Sequence, residues 1–206
     1  MLKRPKTRQA LIEAAEQLFG EHGIHNVSVR QIGAAIGSAN NNVVSYHFGS
    51  KDALIDAIIA WRQPELNRQH GLALAAMPEG DRWQCTRFLL DAMWRPMFDI
   101  VDHAGHRVYA RFLRTVHSDR IPYERSQLAN LYASTRALSE RIFAMVPCEV
   151  AVMARRRRSV VSYMMLDVIC LADADALATG VSAESLFEDS LDMATAALLA
   201  PVTRRG

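Results

Sequence analysis

The chain has 206 residues, 50% of them hydrophobic and 22% charged, with only ten glycines and seven prolines. That balance fits a soluble chain of one medium domain, or of a small domain joined to a larger one, and excludes collagen-like, disordered or linker-rich polypeptides. Its three cysteines, Cys85, Cys148 and Cys170, are widely spaced without a CxxC pair, which argues against a disulfide framework or zinc site and fits a reducing, cytoplasmic setting.

The net charge of +2 is unevenly spread. Residues 1–51 carry six basic side chains (Lys3, Arg4, Lys6, Arg8, Arg30, Lys51) against three acidic ones, while the remainder carries 18 against 19. This is the footprint expected where only the N-terminal part meets phosphate. The basic start does not lead into an apolar signal core, because Glu13 and Glu16 interrupt it at helical spacing. The most apolar later stretch, 160–172, contains Ser162 and Asp167 and falls short of the ~20 residues a bilayer requires. Neither secretion nor a membrane partner is expected.

In chain order, almost every segment has helical periodicity, and no strand is expected. A first helix over 7–22 gathers Leu11, Ala14, Ala15, Leu18 and Phe19 on one face, and Gly23 suits its left-handed end. Ser28-Val29-Arg30-Gln31 is a capping box that starts a second helix, with Val29, Ile32 and Ile36 as its buried stripe. Gly37 interrupts, and the polar run Ser38-Ala39-Asn40-Asn41-Asn42 leads into Val43-Val44-Ser45-Tyr46-His47-Phe48. Gly49 breaks the chain again, and Ser50 is placed to cap a helix starting near Lys51. Two short helices joined by a glycine turn form the helix-turn-helix plan, whose second helix enters the major groove of DNA. That second helix is rich in side chains that hydrogen-bond. Asparagine matches the N6/N7 edge of adenine, while Ser45, Tyr46 and His47 can reach base edges or phosphates. The asparagines could equally serve as turn and cap.

Further along, Leu54, Ile55, Ile58 and Ile59 carry a fourth helix toward Trp61, with Pro64 and Pro78-Glu79-Gly80 as punctuation. Later helices are expected over 82–102, 106–117, 124–146, 149–177 and 184–199. The stretch 159–176 is apolar nearly all round, so it must be covered on two sides. One side would meet its own core and the other a second subunit, with Met164, Val168 and Leu171 at the interface. Phe187, Leu191, Ala194 and Leu198 form one stripe on the last helix, its natural companion in a homodimer. Arg155 to Arg158 point around most of a helical turn and are expected to be solvated or acid-paired rather than a second DNA site. Trp94, Met97, Phe98, Tyr109 and Phe112 are candidates for a small-molecule effector pocket, with Pro96 able to kink its helix open; the same side chains could simply fill a core. Asp99/His103 and Asp102/His106 have i,i+4 spacing, but Gly105 breaks the helix between them, so no metal site is expected. No cofactor fingerprint, nucleophile elbow or phosphate loop is present, and an enzyme is not expected.

The runs Ser28-Val29-Arg30-Gln31-Ile32-Gly33-Ala34-Ala35-Ile36-Gly37 and Tyr46-His47-Phe48-Gly49-Ser50-Lys51-Asp52-Ala53-Leu54, with the upstream Ala14, Ala15, Leu18, Phe19 and Gly23, resemble the tetracycline-repressor (TetR) family of bacterial regulators. The likeness covers about the first quarter of the chain. The spacing between Gly37 and the aromatic end of the recognition helix is one residue longer than is common in the family, which leaves open which of Asn40, Asn41 and Asn42 faces the groove. The resemblance implies an all-α fold. Residues 1–52 would form a three-helix, helix-turn-helix DNA-binding domain, and residues 53–206 a larger helical ligand-sensing and dimerisation domain. It also implies a repressor of double-stranded operator DNA, released by a small-molecule effector, with no cofactor. Ser28, Arg30, Asn41, Asn42, Val43, Ser45, Tyr46, His47 and Lys51 would lie at the DNA. A helical enzyme or metal-binding protein using the Asp/His segment, and an architectural DNA binder without a ligand, are the competing readings.

Overall fold

The computed structural model describes residues 4–118, 133–147 and 151–201. They form nine α-helices and no strand: α1 (Arg4–His22), α2 (Val29–Ala35), α3 (Val43–Phe48), α4 (Lys51–Ala75), α5 (Arg82–Asp99), α6 (Val108–Ser118), α7 (Ala133–Met145), α8 (Ala151–Thr179) and α9 (Ala183–Leu199). The N-terminal part of the helix expected over 124–146, and Cys148, lie outside the described residues. No helix among the described residues is long and apolar enough to cross a membrane.

Local chemistry sets most helix ends. The Ser28 hydroxyl accepts from the Gln31 amide at 3.3 Å, and the Gln31 side chain accepts from the Ser28 amide at 2.8 Å. This satisfies two donors that a helix start otherwise leaves bare. Asp81 and Gln84 repeat the device at α5, and Ser50 and Ser182 cap α4 and α9. After α2, Gly37 takes φ of 69° while its amide and that of Ser38 return to the Ala34 and Gly33 carbonyls. That left-handed residue turns the chain toward α3 at little cost in a glycine.

Helix α4 does not stop at Pro64, as the sequence suggested. It continues for 25 residues, burying Leu54, Ile55, Ile58, Ile59, Gln63, Leu66 and His70 along one stripe. Proline removes one rung of the ladder, but packing along that stripe holds the helix together. By contrast, α5 ends three residues earlier than expected. There Asp102 accepts from the amides of Ala104 and His106, both at 2.8 Å, and Gly105 turns with φ of 86°. Asp102 thus organises the turn, and the described residues contain no cluster of His, Cys, Asp and Glu fit for a metal ion.

The longest packing seam joins α8 to α9, and a second lays α1 on α6. In the first, Phe187, Leu191, Ala194 and Leu198 are fully buried within their own chain. Phe187 lies 4.4 Å from Phe98, ring centre to ring centre. The stripe assigned from sequence to a second subunit therefore faces inward, because α5 and α8 already cover it. Met164 and Val168 are half-buried and Leu171 is exposed, so those three remain on the outer side of α8. Arg157 closes the end of α9 by donating to the carbonyls of Leu198, Ala200 and Pro201, a cap suited to the negative end of the helix dipole.

In the second seam, Phe19 of α1 stacks on Phe112 of α6, with Tyr109 behind it. Gly20 is what lets the two backbones close. A Cβ there would stand 3.0 Å from Arg111 Cβ and 3.2 Å from both the Phe112 nitrogen and the Val108 oxygen. Replacing Gly20 by valine is expected to lower stability by about 1–3 kcal/mol through overpacking. Urea unfolding of the two proteins checks this; an unchanged midpoint would mean that the helices do not approach so closely.

Candidate nucleic-acid interface

Within α3 the two faces separate cleanly. Val43 and Val44 are buried, whereas Asn41, Asn42, Ser45 and Tyr46 are exposed, Tyr46 by 61%. Val43 was expected at the DNA, but it is only 6% exposed. Its Cγ1 fills the space beside Gly33, where an added Cβ would come within 3.0 Å. It is the apolar peg on which α2 and α3 meet. The triple asparagine also divides. Asn40 accepts from the Asn42 amide through its side-chain oxygen at 2.9 Å and builds the turn, leaving Asn41 and Asn42 as the outward pair just before the helix.

Ser28 and Arg30 are exposed at the start of α2. His47 is half-buried, with its ring edge-on to Tyr46 at 5.1 Å and tilted on Phe48 at 6.3 Å. The guanidinium of Arg8 in α1 lies 4.9 Å over the Phe48 ring. A basic side chain of the first helix thus sits on the end of the third, a cation–π contact that keeps positive charge beside the polar row.

Lys51 has a structural role. Its ammonium donates to the Ile24 carbonyl and, at 2.6 Å, to that of Val27, and it lies 5.5 Å from the centre of the Phe19 ring. It pins the α1–α2 loop to the start of α4 while the side chain stays partly exposed. The physical reason is that the carbonyls of that loop need a donor which no helix supplies.

A cavity of about 770 Å³ opens between α4 and the later helices. Trp94 and Met97 line it, as expected. Phe98, Tyr109 and Phe112 do not: Phe98 packs on Phe187, and the other two belong to the α1–α6 seam. The sequence reading missed Gln63, His70, His117, Arg136 and Arg158, which do line it. A signal existed for two of these. Ile59, Gln63, Leu66 and His70 follow i, i+4, i+7, i+11, so two polar residues occupy core positions of an apolar stripe. The His70 Nδ1 is 2.7 Å from the Thr135 hydroxyl. Burial lowers the His70 pKa, partly opposed by the Met93 backbone, and burial likewise lowers that of His117. Gln63 is 4% exposed, and its Oε1 has no hydrogen-bond partner among the described residues.

Between interface and cavity stands one buried ion pair. Arg62, the residue before Gln63 on α4, donates through Nε and a terminal nitrogen to the two oxygens of Glu16 on α1, at 2.9 and 2.6 Å.

Two substitutions check these assignments. Lys51→Met is expected to destabilise the DNA-free protein by about 1–3 kcal/mol, the cost of stripping buried carbonyls of their donor. A purely phosphate-binding lysine would leave the unfolding midpoint unchanged. Gln63→Leu is expected to raise stability by about 1 kcal/mol, because it removes an unsatisfied buried amide. A fall in the thermal midpoint would show that the amide has a partner.

Residues 11–58 match the family model for bacterial regulatory proteins of the tetR family. The HTH-type transcriptional regulator Mb3439c of Mycobacterium bovis is 31% identical to this chain, over 54% of this chain and 78% of its own. The HTH-type transcriptional repressor AcnR of Corynebacterium diphtheriae is 30% identical over 43% of this chain, which spans only 50% of that relative's length. Among solved structures, a putative TetR-family transcriptional regulator from Rhodococcus sp. aligns with a TM-score of 0.47 at 14% identity, covering 94% of this chain and 99% of its own. With its helix-turn-helix geometry and a relative matched over most of that relative's length, the chain belongs to the TetR family of bacterial regulatory proteins.

Proposed function

We propose that this protein is a transcriptional repressor that binds operator DNA as a homodimer and lets go when a small molecule fills the cavity behind α4. The observation that carries the reading is the separation of faces on α3. A six-residue helix buries its only two valines and turns Ser45 and Tyr46 outward beside Asn41 and Asn42. In this reading Asn41, Asn42, Ser45, Tyr46 and His47 meet the major groove, while Ser28 and Arg30 meet the phosphate backbone or an adjacent base. Residues 1–52 then act as the DNA-reading part and residues 53–206 as sensor and dimerisation part, with α4 shared between them.

The dimer would use the outer faces of α8 and α9. Val160, Met164, Val168 and Leu171 on α8, with Met193 and Ala197 on α9, are at least partly exposed. They replace the inward-facing Phe187, Leu191 and Leu198 as interface residues. Such a dimer must space its two recognition helices to match half-sites about 34–36 Å apart or a multiple of that. An effector acts by binding one spacing better than another. Here the link is short: Gln63, Leu66 and His70 wall the cavity, and Arg62 beside them holds α1 through Glu16. A shift of α4 therefore reaches α1 and the loop after it through this ion pair as well as through the packing of Leu54 and the hydrogen bonds of Lys51.

The test is titration of the purified protein against the intergenic DNA beside its own gene, with non-specific DNA as competitor and salt varied. Saturation at two chains per duplex, with affinity falling steeply as salt rises, is the expected result. One chain per duplex would overturn the dimer, and loss of all binding under competition would overturn the regulator at that operator. Tyr46→Ala is expected to cost about 1–3 kcal/mol of operator affinity while leaving the unfolding midpoint in place. Arg30→Ala is expected to weaken binding and to reduce the salt slope by about 1 if its partner is a phosphate.

A further inference from the structure

The wall of the α4–α9 cavity has a chemical asymmetry. Most of it is apolar, with Leu66, Leu90, Met93, Trp94, Met97 and Leu113 facing the space. On the side built by α7 and α8, at its exposed mouth, stand two guanidinium groups, Arg136 and Arg158, with Ser139 and, as the one acid among the described residues, Glu140. Arg62, Arg87, Arg95 and Arg114 each reach a carboxylate on another helix. Arg136 and Arg158 reach none among the described residues. The Arg158 side chain donates only to the Ser139 hydroxyl, at 3.3 Å, and lies 6.0 Å from the centre of the Phe143 ring. Glu140 sits one helical turn from Arg136, yet the two form no ion pair. Among the described residues the wall therefore carries one unbalanced positive charge on this side, and burial lowers the pKa of His70 and His117.

Two further facts mark the space as a recognition site instead of a packing void. Its volume of about 770 Å³ falls within the roughly 300–1,000 Å³ of sites that enclose a small organic ligand. The Gln63 amide oxygen is buried without a partner on that wall, and a group left in that condition favours a ligand able to hydrogen-bond to it.

We infer that the cavity takes an amphipathic organic carboxylate, its apolar body against Trp94, Met97 and Leu66 and its anionic end toward Arg136 and Arg158. Guanidinium suits this role because its planar array of donors meets both carboxylate oxygens at once. A lipophilic cation would meet the opposite arrangement, two like charges against one acid. The inference rests on the effector reading of this cavity and adds the chemical class of the effector.

Three probes with one apolar chain and different heads test it: decanoate, decylammonium and decanol, each below its micellar concentration. They are titrated into the full-length protein by calorimetry, with tryptophan fluorescence reporting on the Trp94 wall. Decanoate is expected to bind about fivefold to tenfold more tightly than either of the others, the gain from two partly screened charge contacts. In the Arg136→Gln/Arg158→Gln protein that preference disappears while decanol affinity is kept, which shows an intact cavity. Glu140→Gln provides a second reading, raising decanoate affinity about twofold by removal of the opposing charge. Equal affinity for the three probes, a preference for decylammonium, or no binding of decanoate overturns the inference. Addition of decanoate to the protein–operator complex separates the two levels. Decanoate that binds without releasing DNA supports the ligand class and overturns the effector reading, whereas release of DNA supports both.

Discussion

Arg62 holds Glu16 by two parallel N–H···O bonds in a place where the carboxylate is only 2% exposed, and the alignment of α1 with α4 depends on that grip. Burial raises the Glu16 pKa, while the hydrogen bond and charge of Arg62 act against the rise. The guanidinium is itself fixed, 4.0 Å over the Trp61 ring and 5.7 Å from that of Tyr109. A largely buried pair of this kind contributes little net stability compared with well-packed hydrophobes, because Glu16 leaves water almost entirely and Arg62, 22% exposed, mostly does. Loss of one partner costs about 3–5 kcal/mol, because it strands the other. The pair is thus a poor glue and a strong alignment device. It tolerates one geometry between α1 and α4, and with Gly20 seated on α6 it leaves the first helix little freedom to tilt alone.

The same economy governs the small N-terminal unit. Its core is built from Leu11, Ile12, Ala15, Phe19, Ile24, Val27, Ile32, Val43, Val44 and Leu54, and a unit so small has few apolar residues to spare. Val43 is therefore drawn inward against Gly33, and Lys51 is turned inward to serve two loop carbonyls. What remains on the outside of α3 is Ser45 and Tyr46, because both valines are used inside. The outer surface of α3 is defined partly by what the core could not take.

How much of this was legible in the sequence follows from the range of each interaction. The capping box of Ser28 and Gln31, the break at Gly37 and the cap at Ser50 involve neighbours three or four residues apart, and all were readable. The helical class and the order of helices followed from periodicity. The side chains of Val43, Phe98, Tyr109, Phe112, Phe187, Leu191 and Leu198 were readable as apolar but not as to which surface covers them. That partner is chosen by tertiary packing, and an apolar stripe looks the same whether it meets its own core, a ligand or a second copy. The structural role of Lys51 was hidden for a related reason: a lysine after a helix cap gives no hint that carbonyls 24 and 27 residues earlier need its protons. Gln63 and His70 could have been found, since a polar residue in the middle of an apolar stripe is a local anomaly. Arg136 and Arg158 could not, because what sets them apart is that neither reaches an acid among the described residues.

Pro64 has a mechanical consequence. Lacking an amide proton, it leaves the Ala60 carbonyl without its i+4 donor, so the hydrogen-bond ladder of α4 is missing a rung in the turn that carries Arg62 and Gln63. A rod with one rung missing bends there before it bends anywhere else. The longest N-terminal helix is thus two stiff levers joined at a compliant point, one lever rooted among α1 and α3 and the other beside the cavity. In the proposed effector reading, strain entering from the cavity side is concentrated near the residue that grips Glu16 instead of being spread along 25 residues. A filled helix interior would have moved as one body and shared a small displacement among many contacts, each too slightly disturbed to matter.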